Sequence, residues 1–150
     1  MEDLRKLIIE VLEKGYLMSL ATMDEGGLWV CEVVFVHDND LNIYWLSVPT
    51  ARHSKAIQDH PNVAGSITLC HGPTTDKVGI QFAGKAQKVE GDILEMAKKD
   101  AHKRLKPIPT QEGEIFQRGQ SWYRLCPTKI DLVHQPLFGY EKKFLNFKSK

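Results

Sequence analysis

Apolar residues recur at helical spacing over positions 3 to 14, where Leu4, Leu7, Ile8, Val11 and Leu12 form one stripe and Lys6, Glu10 and Glu13 lie opposite. This pattern predicts an amphipathic helix closed by Gly15. Strand signals follow. Residues 16 to 23 and 28 to 36 flank the turn Asp24-Glu25-Gly26-Gly27, and the turn His37-Asp38-Asn39-Asp40 leads into a third strand over residues 41 to 48. Two successive strand-turn-strand signals predict an antiparallel meander. Pro49 ends the third strand, and Thr50 is placed to cap a short helix over residues 51 to 59.

Pro61 closes that helix, and residues 63 to 69 predict the next strand. Gly72, Pro73 and two threonines make residues 70 to 77 a loop. The longest strand signal spans residues 77 to 90, with Val78, Ile80 and Phe82 alternating against Gly79, Gln81 and Ala83. Gly84 interrupts it, as a bulge or a close backbone approach requires. Ile93, Leu94, Met96, Ala97, Ala101 and Leu105 predict a second amphipathic helix, stopped before Pro107 and Pro109. Residues 110 to 119 fit either a short helix or a loop. Residues 121 to 126 and 129 to 134 predict two strands around Pro127-Thr128, and the tail from Phe138 to Phe147 is a last strand or an arm facing a second subunit. Six or seven strands joined by connections too short for parallel crossovers predict a mainly β fold, a small antiparallel barrel with peripheral helices.

A length of 150 residues with 42% hydrophobic content suits one domain with a real core. The formal net charge of +1 argues against a bulk polyanion as partner. Cys31, Cys70 and Cys126 are odd in number and widely spaced, which points to reduced thiols and not to a disulfide framework or a zinc ribbon. No apolar run reaches the roughly 18 to 20 residues of a membrane span, so a soluble, cytoplasmic protein is expected.

Several motifs fail on their chemistry. Gly79 to Ala86 nearly spells the phosphate loop GxxxxGK[ST], but Ala86 offers no hydroxyl for magnesium and the interior alternates like a strand. There is no GxGxxG after a strand, no GxSxG elbow, and no HxH or HExxH spacing among six histidines, so no metal site is expected. Trp122-Tyr123-Arg124 interleaves aromatics with charge as single-strand nucleic-acid binders do, but the neutral balance makes nucleic acid an unlikely partner.

The conspicuous cluster is Arg52-His53-Ser54-Lys55. It falls in the first turn of the helix after Pro49, where the helix already carries partial positive charge and unpaired N–H groups. Cations there are unfavourable unless an anion lies among them, and a phosphate resolves the conflict. The bland alternative is a solvated polar face.

The order of these elements, with Thr50-x-Arg52-His53-Ser54-Lys55 at the helix start, Asp59-His60-Pro61-Asn62-Val63 before a strand, and Ile80-Gln81-Phe82-x-Gly84-Lys85-Ala86 within the long strand, resembles the pyridoxamine 5′-phosphate oxidase-like, FMN-binding split-barrel superfamily. The closing stretch from Trp122 to Leu132 is similar to that family's final strand pair. The chain looks like the superfamily's small branch and not the oxidase itself. The resemblance implies a split β-barrel homodimer with FMN at the subunit interface. It implies that Arg52 and His53 hold the FMN phosphate, with Ser54 and Lys55 beside them. Leu46 and Ser47 would meet the flavin or its ribityl chain, and Val33, Val34 and Phe35 would run along the ring. Gln81 would contact the flavin, and Lys143 would reach the ring from the other subunit. Two departures stand out: the strand holding Cys31 lacks the oxidase's arginine, and His53 replaces the usual lysine, which makes phosphate affinity pH-dependent. No basic cluster reproduces a pyridoxamine-phosphate site. The function implied is a flavin-dependent oxidoreductase of unspecified substrate. The alternative is a non-catalytic flavin or haem binder, and a single-strand nucleic-acid module ranks third.

Overall fold

The computed structural model describes residues 3–111 and 119–148. In chain order it contains α1 (Leu4–Lys14), β1 (Leu17–Asp24), β2 (Gly27–Val34), β3 (Val36–His37), β4 (Ile43–Ser47), α2 (Arg52–Asp59), β5 (Asn62–Thr68), β6 (Val78–Lys88), α3 (Leu94–Lys103), β7 (Ser121–His134), α4 (Gln135–Phe138) and β8 (Lys143–Asn146). Seven strands form one path, β2-β1-β5-β6-β7-β4-β3, and β8 pairs with β7 beside it. Every pairing is antiparallel.

One connection dictates the curvature. β2 and β3 lie at opposite ends of the path, yet Phe35 alone separates them. A single residue spans at most about 3.6 Å, so the sheet curls until its two edges meet. The predicted meander is therefore corrected: β1 and β2 form a hairpin, β3 pairs with β4, and the chain jumps across the mouth of the barrel between them. Phe35 is fully buried at that seam.

Asp3 caps α1 by accepting from the backbone N–H of Arg5 at 3.0 Å and of Lys6 at 3.4 Å. The helix then buries Leu7, Ile8, Val11 and Leu12 against the concave side of the sheet, in one core with Met18, Trp45 and Leu132. A second cluster joins α3 to the outside of β3 and β4 through Ile93, Ala97, Val36, Tyr44 and Trp122.

The two strands expected around Pro127-Thr128 are one, β7, of 14 residues. Pro127 has no N–H to give a ladder, and it is accommodated where the β6–β7 register shifts between Ala83 and Gly84. Thr128 Oγ1 donates to the Ala83 carbonyl at 3.2 Å. A Cβ on Gly84 would lie 2.4 Å from the Cys126 carbonyl oxygen, so the expected close approach is real. The question of helix or loop at residues 110 to 119 falls mostly on 112–118, outside the described residues.

Candidate functional site

β4 delivers the chain to α2 through a turn in which Ala51 N–H donates to the Val48 carbonyl at 3.1 Å. Thr50 belongs to this turn and does not cap the helix. The N-cap is Ala51, which has no side chain to accept a hydrogen bond, so the N–H groups of the first turn have no side-chain acceptor.

Successive helical residues point about 100° apart, so Arg52, His53, Ser54 and Lys55 fan out and do not share one face. Arg52 reaches back to the β1–β2 turn: Nε donates to Asp24 Oδ2 at 2.8 Å and Nη2 to Oδ1 at 3.1 Å. Its guanidinium carbon lies 4.3 Å from the centroid of the Trp29 ring. Asp24 is itself fixed by the Gly26 N–H at 2.8 Å. The Arg52 guanidinium holds the Asp24 carboxyl below the usual carboxylate range, and Asp24 in turn raises Arg52.

His53 turns inward. Its Nε2 lies 2.6 Å from Ser47 Oγ, with the donor set by the tautomer. Burial pushes the imidazole below its ordinary value of 6.5, so His53 is neutral at pH 7. It supplies a hydrogen bond at that pH, where sequence reasoning expected a counter-charge for phosphate. Ser54 is fully buried, and its hydroxyl has no hydrogen-bond partner. Lys55 is exposed and borders, with Arg52, Asp24, Glu25, Asp59 and His60, a groove of about 380 Å³.

The remaining predicted residues form separate groups. Leu46 is half-buried beside Ser47, facing Trp122 across the β4–β7 ladder. Val33 and Val34 are half-buried at the end of β2, opposite Met18 and Leu17, and β2 approaches β4 across the curl. Lys103 Nζ sits 3.6 Å over the Phe35 ring. Gln81 is exposed on β6, and its Oε1 accepts from Lys142 Nζ at 2.7 Å. Lys143 pairs with Glu141 at 3.1 Å and lies 5.3 Å from the Phe138 ring centroid. Within one chain no hydrogen bond or ion pair among the described residues joins Gln81 or Lys143 to the Arg52 group.

Sequence reasoning missed Asp24 and Trp29. Asp24 carried only a turn signal, and the partner it serves lies 28 positions away. Trp122 and Tyr123 are 1% and 2% exposed, so the aromatics suggested as a nucleobase platform belong to the interior. Cys31 is half-buried, and its thiol is raised by burial and then by Glu32. Among the described residues no group of three or more His, Cys, Asp or Glu side chains is arranged to hold a metal ion, and no helix is long and apolar enough to cross a membrane.

This arrangement suits an anion attached to a flat apolar group. An uncapped helix start, an arginine fork stacked on an indole and a free lysine meet at one rim. A phosphate such as that of FMN would find donors here, with one condition: Arg52 already has a carboxylate partner, which an incoming phosphate must replace.

No family model matches the chain. It is 27% identical over 95 residues to the UPF0306 protein YhbP of Escherichia fergusonii, a match that covers 63% of this chain and 65% of that protein, less than two thirds of its length. Among solved structures it resembles HutZ, the heme storage protein of Vibrio cholerae, with a TM-score of 0.67, 18% identity, and coverage of 97% of this chain and 95% of that one. It also resembles a candidate pyridoxamine 5′-phosphate oxidase of Listeria innocua, with a TM-score of 0.65, 18% identity, and coverage of 87% and 98%. The curled strand path, the one-residue crossing at Phe35 and these likenesses together give the chain the split-barrel fold of these solved structures.

Proposed function

We propose that the protein binds FMN as a cytoplasmic homodimer and acts as a flavin-dependent oxidoreductase on a small molecule. The observation that carries this is the start of α2, where N–H groups without a side-chain cap, the Trp29-stacked Arg52 and the exposed Lys55 come together. FMN, when bound, supplies the hydride or electron transfer. Arg52, Lys55 and the first-turn N–H groups hold the phosphate, and His53 fixes the Ser47 hydroxyl toward the cofactor chain. Ser54 supports the turn from the inside. Leu46, Val33, Val34 and Phe35 form the apolar wall along the ring, and Gln81 and Lys143 serve its polar edge.

The dimer is supported by apolar side chains on β2, which ends the sheet path. Leu28, Trp29 and Val30 are 79%, 45% and 59% exposed there, a surface suited to a second copy of the chain. A non-catalytic role, holding a flavin or a haem, is favoured by the likeness to HutZ.

Titration of the purified chain with FMN, followed by flavin fluorescence, is expected to show saturable quenching at one flavin per chain. Absence of binding overturns the proposal. Multiple turnovers of NADH or NADPH oxidation by the flavin-loaded protein mark an enzyme. A loaded protein that both leave oxidised is a binder.

A further inference from the structure

Helix α2 has a second working face. Arg52, Lys55 and Asp59 border the groove toward the β1–β2 turn, whereas Ser54, Ile57 and Gln58 line another cavity of about 380 Å³ on the opposite side. Pro49, Pro61, Tyr123 and the end of β6 from Lys85 to Lys88 complete it. The Ala86 N–H donates to the Pro61 carbonyl at 2.8 Å and fixes one wall.

The chemistry of this cavity differs from that of the groove. The groove's arginine is balanced by Asp24, but no carboxylate lines the cavity, which has Lys85 and Lys88 at its rim. Neither lysine enters an ion pair among the described residues, and the side chains of Gln58 and Gln87 make no hydrogen bond there. Ser54, fully buried in the wall, has a hydroxyl without a partner. Pro49 and Pro61 supply the open apolar surface, and the nearly covered Ile57 and Tyr123 back it. Its size falls within the range of about 300 to 1,000 Å³ typical of small-molecule sites. Two unneutralised cations and two amides around an apolar hollow match a compact organic anion.

We propose that this cavity is a second ligand site, separate from the flavin rim, for a small organic anion with a carboxylate or phosphate head on an apolar ring. The site does not depend on flavin binding, since α2 divides the two.

Two-dimensional amide NMR of the full chain, titrated with phenyl phosphate, benzoate and neutral benzyl alcohol, tests it. The expected result is saturable movement of the Gln58 and Gln87 side-chain amides with one or both anions and not with the alcohol; the stronger anion identifies the head group. Lys85→Gln with Lys88→Gln, which keeps much of each apolar stem, is expected to weaken binding by about tenfold or more, the scale of lost charge-assisted contacts. Arg52→Ala is expected to leave it unchanged while weakening flavin binding, so failure of one site does not count against the other. No response of the wild-type chain, an equal response to the alcohol, or binding that survives the double substitution overturns the proposal.

Discussion

Replacing Asp24 by asparagine isolates what Arg52 does. The carboxylate receives both arms of the guanidinium, at 2.8 and 3.1 Å, and the two side chains are 26% and 37% exposed. An ion pair so open to solvent shifts an equilibrium by a factor of about five at most. A phosphate that needs Arg52 has to displace this internal anion, so Asp24→Asn is expected to tighten FMN binding by about two- to fivefold. Arg52→Ala removes a charge-assisted fork and is expected to weaken it by about 10- to 100-fold. Flavin fluorescence titrations of the wild type, both single variants and the double variant form a complete cycle. If Asp24 acts by occupying Arg52, its replacement has little effect once Arg52 is gone. An undiminished gain in the Arg52→Ala background would reduce Asp24 to general repulsion, and a loss of affinity in Asp24→Asn alone would refute the competition outright.

The other predictions concern titration and packing. His53, held neutral by burial, should titrate below 6.5 by proton NMR. The unfolded chain then takes up the proton first, so stability declines as pH falls from about 6.5 through the folded value; a midpoint above 6.5 contradicts this assignment. Lys103 is lowered to about 8, first by burial and against the pull of Asp100 and Glu13. Above that pH the unfolded state binds the extra proton, so unfolding free energy should rise between about 8 and 10.5, and a Lys103 midpoint near 10.5 by heteronuclear NMR would rule it out. Gly84→Ala drives a methyl to 2.4 Å from the Cys126 carbonyl and should cost about 1 to 3 kcal/mol in urea unfolding; an unchanged midpoint would mean that the bulge yields freely.

Legibility followed the range of the interactions. The stripe Leu7, Ile8, Val11 and Leu12 and the Asp24–Gly27 turn carry their structure within a few residues, and both appear where the pattern places them. Gly84 announced its bulge because only a residue without a side chain tolerates that approach. The crossing at Phe35 was hidden, since an apolar residue within an apolar run carries no punctuation, and only the pairing of distant strands separates β2 from β3. Pro127 misled in the opposite sense: proline reads as a break, but a register shift in the neighbouring strand absorbed it. At the site, four adjacent polar residues looked like one cluster because sequence does not display the rotation of the helix. The Asp24 carboxylate that answers Arg52 comes from a hairpin tip 28 positions away.

The seam at Phe35 also sets where this barrel is able to loosen. With a single buried residue tying the two outermost strands together, there is no slack for those edges to part. α3 adds a clasp from outside, since Lys103 Nζ donates to the Phe35 carbonyl and Lys99 Nζ to that of His37 at 2.8 Å. The hairpin tip at the other end is tied to α2 only through side chains, Arg52 to Asp24 at 2.8 Å and His60 to Glu25 at 3.1 Å, so the two ends of this barrel are fastened by different means, backbone continuity at one and solvent-exposed polar contacts at the other.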